Sequence, residues 1–105
     1  MASGVRTVKF PGRRLDSGSG AALGPLMATA WQEGATAVAL DLSSVVYIDS
    51  LGISVLISQY RKRPPEGKIV LCALTDYVRD VLEVTQLFRI FDAFDSVEAA
   101  AAALG

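Results

Sequence analysis

Hydrophobic residues follow two different periods along the chain, and the change of period predicts strands that alternate with helices. Short apolar runs at 38–42 and 68–74 are typical of buried strands. Between them, from Leu51 to about Arg63, apolar residues recur at helical spacing. Because a helix separates the two strands, we expect βαβ units, with parallel pairing of 38–42 and 68–74 and right-handed crossovers.

The remaining segments complete this α/β pattern. The stretch 45–48 is apolar at every position, so we expect it to lie in the interior. The other predicted elements are a strand at 5–10, a turn-like segment at 11–20, a helix at 21–32, a helix capped by Thr75 that runs to about Val84, a short strand at 88–91 and a helix at 97–104.

Composition excludes several kinds of function. The 105 residues have a formal net charge of −1, which gives no basic surface for nucleic acid. The chain has no histidine and a single cysteine, Cys72, so a Cys/His zinc site and a histidine-based catalytic triad are excluded. We expect no metal, no cofactor and no enzymatic activity, since an acid/base pair would have to come from Asp41 or Asp49. We expect Cys72 to be an inert core residue. No secretory signal or membrane span is visible, so a cytoplasmic location is expected.

The motif Asp49-Ser50-Leu51-Gly52 is the main candidate for function. It joins an apolar segment to the helix that follows, which places Ser50 at the helix N-terminus. Free N–H groups and the helix dipole favour an anion there, so we expect a phosphate on Ser50 to meet those donors. Gly52 would allow a partner or a phosphate to approach the backbone closely. The alternative is that Asp49 or Ser50 does no more than cap the helix.

The chain resembles the STAS domains, which are found in anti-sigma factor antagonists and in the cytoplasmic tails of sulphate transporters. The segment 40–52 carries the family signature of Asp-Leu-Ser, a hydrophobic stretch and then Asp-Ser-x-Gly. Segments 53–60, 68–73, 78–87, 90–91 and 96–99 continue the resemblance in order. It implies one STAS-like domain over 1–105. The implied fold is α/β, with a mixed sheet of about four strands, about four helices mainly on one face, and a shortened N-terminal strand region.

The resemblance also implies a function. In the antagonists, the serine after the aspartate is phosphorylated by the anti-sigma factor, itself a serine kinase, and the matching position is Ser50. The implied protein partner is therefore such a kinase, bound through Asp49, Ser50, Leu51 and Gly52, and a homodimer is possible. Asp16 and Ser17 join this set through the match to the family's Gly-x-Leu-Asp. Here the match reads Gly-Arg-Arg-Leu-Asp at 12–16, with an extra arginine and only one strand before it.

Three other interpretations stay open. The protein could be a scaffold or accessory subunit, in a stress-signalling assembly or a transporter-ATPase complex, in which Ser50 is a docking contact. Gly18, Gly20 and Gly24 have a spacing that can hold a dinucleotide phosphate, although a flexible loop is the simpler interpretation. The basic run 61–63, with Arg13 and Arg14, could bind an acidic partner or lipid headgroups, or could be a solvated helix end.

Overall fold

The computed structural model describes residues 4–105, which form an α/β fold in which strands and helices alternate. In chain order the elements are β1 (Val5–Lys9), β2 (Arg14–Leu15), α1 (Ser19–Gln32), β3 (Ala37–Asp41), β4 (Tyr47–Ile48), α2 (Ser50–Lys62), β5 (Lys68–Cys72), α3 (Asp76–Val84), a 3-10 turn (Leu87–Arg89), β6 (Asp92–Phe94) and α4 (Val97–Leu104).

Four strands form the main sheet in the order β1-β3-β5-β6, and every pair in it is parallel. The predicted pairing of the strands at 38–42 and 68–74 is confirmed, with Val38 opposite Ile69. The prediction of a mixed sheet is therefore wrong, because the main sheet has no antiparallel pair among the described residues. A helix joins each strand to the next in the sheet and returns the chain to the same end, which imposes parallel pairing.

The two faces of the sheet are covered unequally. Val38, Leu40 and Leu71 point into the main core, which α1, α2 and α3 cover. The alternate positions Ala39, Val70 and Cys72 point to the other face, where α4 covers them through Ala100. The prediction that the helices lie mainly on one face is therefore confirmed.

A second, two-stranded sheet lies outside the main one. In it β2 pairs in parallel with β4, with Arg14 opposite Tyr47 and Leu15 opposite Ile48. The turn-like segment predicted at 11–20 thus contains a short strand and the start of α1. The prediction that 45–48 is wholly interior is wrong, because Val46 is 46% exposed. One face of this small sheet is open to solvent.

The strand predicted at 88–91 is also wrong. Leu87 and Phe91 are both buried, and the Phe91 N–H donates to the Leu87 carbonyl at 3.0 Å. Their spacing of four therefore follows a helical turn, and the strand begins one residue later, at Asp92.

Candidate functional site

The candidate site lies where β4 ends and α2 begins. Asp49 is the N-cap of α2 and has an extended backbone. Its carboxylate oxygen Oδ1 accepts hydrogen bonds from the N–H groups of Leu51 and Gly52, both at 3.0 Å. Its carbonyl accepts from the N–H of Ile53 at 2.9 Å. Asp49 is therefore the residue that satisfies the free donors of this helix end.

Ser50 is the first residue of α2 and is exposed. Its hydroxyl makes no hydrogen bond to any of residues 4–105, while its carbonyl accepts from the Ser54 hydroxyl at 3.1 Å. The two roles that the sequence left open are therefore divided: Asp49 caps the helix, and the Ser50 hydroxyl is free.

The expectation that a phosphate on Ser50 would meet the free N–H groups of the helix is wrong for three of them. Those of Leu51 and Gly52 already donate to Asp49 Oδ1, and that of Ile53 donates to the Asp49 carbonyl. In the first turn, only the N–H of Ser50 itself has no acceptor among the residues that the structure describes. A phosphate would instead lie next to the Asp49 carboxylate, a like charge.

Gly52 is buried, and the chain itself approaches it closely. A Cβ atom added at Gly52 would lie 2.0 Å from the Leu15 carbonyl oxygen and 2.5 Å from its carbon. The same oxygen accepts from the Asp49 N–H at 3.3 Å. The close approach expected of a partner or phosphate at Gly52 is thus made by β2.

The β2–β4 pairing brings the other two predicted residues to the same place. Asp16 follows Leu15 just as Asp49 follows the paired Ile48, so the two aspartates end adjacent strands. Asp16 Oδ1 accepts from the Gly18 N–H at 3.2 Å, which orders the turn into α1. Ser17 is exposed in this turn. All six predicted site residues therefore lie at one end of the small sheet.

Three side chains that the sequence did not single out as a group adjoin this end. The Arg14 guanidinium lies 4.1 Å from the centre of the Tyr47 ring, and that ring stacks on Tyr77 with the centres 6.1 Å apart. The Tyr47 hydroxyl donates to Asp49 Oδ2 at 3.4 Å. The extra arginine at 13–14 is the sequence feature that could have pointed to this group. The contact of Arg14 with Tyr47, however, can be predicted only once the register of β2 with β4 is known.

The surface beside Ser50 is partly apolar. Leu51 is 54% exposed, and Tyr77, which stacks on Tyr47, is 49% exposed. Large apolar side chains and an arginine on an open surface are typical of the centre of protein–protein interfaces. The arrangement can therefore bind a protein, with a modifiable hydroxyl on the same surface.

Other candidate residues have structural roles. Asp41 Oδ1 accepts from the Ser43 N–H at 2.9 Å, and Lys9 lies 3.9 Å from its other oxygen. Cys72 is buried, as predicted, and burial raises the pKa of its thiol to about 11. No group of three or more possible metal ligands occurs within residues 4–105. None of the helices in that range is long and apolar enough to cross a membrane.

Gly24 and the basic run 61–63 are separate from this site. Gly24 lies within α1, and a Cβ atom added there would lie 3.8 Å from the Gln59 side chain, an ordinary packing distance. Arg61 and Lys62 are exposed in the last turn of α2, where cations complement the helix dipole. Arg63 instead donates to the carbonyls of Gly67 and Tyr60, which closes the turn after α2.

Comparison with known proteins agrees with this fold. The family model described as "STAS domain" matches residues 3–100. A curated relative, the candidate anti-sigma factor antagonist BtrV of Bordetella bronchiseptica, is 39% identical over 72 residues. That match covers 68% of this chain and 62% of the relative. The aligned part thus spans about three fifths of the relative's length.

Solved structures of different function share the fold. A sulfate transporter family protein from Wolinella succinogenes superposes with a TM-score of 0.81 at 19% identity, covering 96% of this chain and 84% of that one. The Bacillus protein SpoIIAA in its phosphorylated form gives 0.66 at 17% identity, covering 98% and 94%. Its unphosphorylated form gives 0.70 at 20%, covering 98% and 91%. At these identities the likeness establishes the fold alone.

Proposed function

This chain belongs to the STAS domain family, and on that premise we propose that it is an anti-sigma factor antagonist whose binding is switched by phosphorylation of Ser50. In this proposal the unmodified protein binds a serine-kinase anti-sigma factor through the surface around Asp49, Ser50 and Leu51. The kinase then transfers a phosphate to the Ser50 hydroxyl, and the complex dissociates.

One observation supports this proposal above the others. The Ser50 hydroxyl is exposed and unbonded within the described residues, at a helix start that Asp49 already caps. A serine that capped the helix would have to give up that bond to accept a phosphate. Ser50 can be modified without loss of the cap, so the fold can persist in both states.

The electrostatics are sufficient for a switch. Phosphorylation adds about −1.5 to −2 charge. Against one acidic partner group about 4 Å away, each unit of charge costs about 1 kcal/mol in water-like surroundings and about 4 kcal/mol near a protein surface. These energies correspond to about a fivefold to a thousandfold loss of affinity. Charge at one position can therefore release a partner without a change of fold.

Affinity capture from the native host, followed by a kinase assay, tests the proposal. Unmodified protein should retain a serine kinase that phosphorylates Ser50 in the presence of ATP. The Ser50→Ala protein should bind this kinase but accept no phosphate, and Ser50→Asp should bind it poorly. Ser54→Ala is the matched control, since Ser54 is exposed one helical turn away, and it should behave as the parent. Phosphorylation of the Ser50→Ala protein by the same kinase would contradict the proposal.

A second candidate function uses the same surface without phosphorylation. Exposed Leu51 and Tyr77 offer the apolar contact area that a scaffold or an accessory subunit of a transporter complex requires. In that case the captured partner would be a membrane ATPase or a large self-assembly, and Ser50→Asp would reduce binding although the native protein carries no phosphate. The cytoplasmic location and the possible homodimer stay predictions under both functions.

A further inference from the structure

Arg14 extends toward the end of the small sheet where Ser50 begins α2. Its Nε donates to Asp16 Oδ2 at 3.2 Å, two residues further along the chain. The guanidinium also lies over the Tyr47 ring, whose hydroxyl in turn reaches forward to Asp49 Oδ2. Both side chains of this paired position therefore contact the aspartates that follow β2 and β4, and Ser50 comes directly after the second of them.

The charges around Ser50 are mostly unfavourable for a phosphate. Asp49 caps the same helix end, Asp16 ends the adjacent strand, and Asp76 begins α3 beside the stacked Tyr77. The cations on the neighbouring strand segment are Arg13 and Arg14. Within the described residues the Arg13 side chain has no hydrogen bond, ion pair or ring contact, whereas Arg14 lies over the Tyr47 ring and pairs with the Asp16 carboxylate.

Resting on the proposed function, we propose that Arg14 pairs with the phosphate on Ser50, and that it exchanges its contact with Asp16 for this pairing. The exchange is chemically favourable because a guanidinium matches phosphate with two parallel hydrogen bonds and meets about twice the charge of a carboxylate. The side chain of Arg14 is 60% exposed, so it is free to turn without unpacking a core. Tyr47 would keep it close to the site in both states.

The pairing would also alter the surface that a partner meets. In the unmodified protein Arg14 presents its cation beside Asp16, next to the Ser50 surface. After phosphorylation the same cation would be occupied by the phosphate. A partner that uses an acidic group to contact Arg14 would then lose this contact in addition to meeting the new negative charge.

The test uses protein with phosphoserine encoded at position 50, so that no kinase is needed. Phosphorus NMR measures the second pKa of the phosphate, which is about 6 without a partner. We expect Arg14→Gln to raise this pKa by about half a unit or more, as removal of one charge at about 6 Å does in water-like surroundings. Arg13→Gln, the matched control, should shift it by less than about 0.2, since Arg13 is exposed and a solvated charge is screened within about 10 Å.

A second readout does not depend on a variant. The NMR signal of the Arg14 Nε–H should move when phosphoserine replaces serine at position 50, while that of Arg13 stays in place.

The Arg14→Lys protein should have a phosphate pKa between those of the parent and of Arg14→Gln, because lysine keeps the positive charge but cannot form two parallel hydrogen bonds. An equal pKa in the Arg14→Gln protein and its parent, or an Arg14 signal that does not move, would overturn the proposal.

These outcomes are separate from those of the proposed function. A phosphate installed during translation reports on Arg14 whether or not a kinase exists. Failure of the pairing would leave binding of the kinase, and its release by the negative charge on Ser50, in place. Failure of kinase binding would leave the measured effect of Arg14 on the installed phosphate unchanged.

Discussion

The helices α2 and α4 both begin at an aspartate–serine pair, and the two pairs divide their work differently. At α4 the serine is the cap: Ser96 Oγ accepts from the Ala99 N–H at 3.0 Å, while Asp95 is almost fully exposed. At α2 the aspartate is the cap, and Ser50 is shifted one position into the helix, where its hydroxyl has no hydrogen-bond partner among residues 4–105. Of these two serines, only Ser50, whose neighbour performs the capping, has a hydroxyl that no helix cap uses.

The difference extends to packing. At α2 the backbone of Leu15 lies directly on Gly52, so the helix start is locked to the small sheet. At α4 the contact with the sheet is a small apolar cluster through Ala100. The start of α2 is thus rigid in its backbone and free in one side chain, which suits a site that is modified without unfolding.

Replacement of Gly52 by alanine should have the largest effect on stability. The new Cβ would meet the carbonyl of Leu15, a backbone atom that cannot rotate away. We expect the free energy of unfolding to fall by about 3 kcal/mol or more. Gly24→Ala is the control, because its Cβ has space beside Gln59, and it should raise stability by up to about 1 kcal/mol. Urea unfolding curves give the free energy of unfolding of both variants. Equal changes would contradict the close contact between Leu15 and the start of α2.

Removal of the α2 cap comes next. Asp49→Ala loses an acceptor for two N–H groups, so the free energy of unfolding should fall by about 1 to 2 kcal/mol. Asp49→Asn keeps the oxygen and should lose only a fraction of that. Thermal unfolding of the three proteins makes the comparison. An Asp49→Ala protein as stable as its parent would show that Asp49 is not the functioning cap.

The free energy of unfolding should fall at alkaline pH because of the Cys72 thiol, which lies on the α4 side of the sheet. The thiol of Cys72 has its pKa raised from 9.0 to about 11, through burial and then the nearby Asp41 and Glu98 carboxylates. The thiol makes its full contribution to the free energy of unfolding below pH 9. This contribution is lost as the pH rises toward 11, because the thiol ionises at a lower pH in the unfolded chain than in the folded one. We expect a loss of about 1 kcal/mol at pH 10. Cys72→Ala should show a smaller decline between pH 8 and 10 in the same unfolding assay, and an identical decline would contradict the buried thiol.

The two serines give the smallest effects and the sharpest contrast. Ser96→Ala removes the cap of α4 and should cost about 1 kcal/mol. Ser50→Ala removes a hydroxyl with no partner among the described residues and should change the free energy of unfolding by less than about 0.5 kcal/mol. Both are measured under the same denaturant conditions. A larger cost for Ser50→Ala would mean that its hydroxyl supports the fold.

Local pattern was enough to predict the helices and central strands. The last helix was predicted at its observed bounds, and α2 was predicted within one residue of them at each end. The spacing of apolar residues fixes such elements because each one buries a face of its own. For the same reason the motif at 49–52 could be placed at a helix start.

Contacts between distant segments were beyond the pattern. The β2–β4 pair has only two residues in each strand, so the sequence shows no periodicity there. Each strand forms only because it pairs with a segment that is distant in the sequence. The contact of Leu15 with Gly52 and the stacking of Tyr47 on Tyr77 depend on this pair. The choice between Asp49 and Ser50 as the cap was also open, since both residue types cap helices well.

The intact mass of the protein isolated from its native host, with and without phosphatase treatment, shows whether Ser50 is a phosphorylation switch. A fraction of the molecules should be heavier by one phosphate, removable by phosphatase and mapped by peptide fragmentation to Ser50. This fraction should be absent from the Ser50→Ala protein and present in the Ser54→Ala protein. A protein that carries no phosphate in any growth condition, or one phosphorylated only at another residue, would contradict the account.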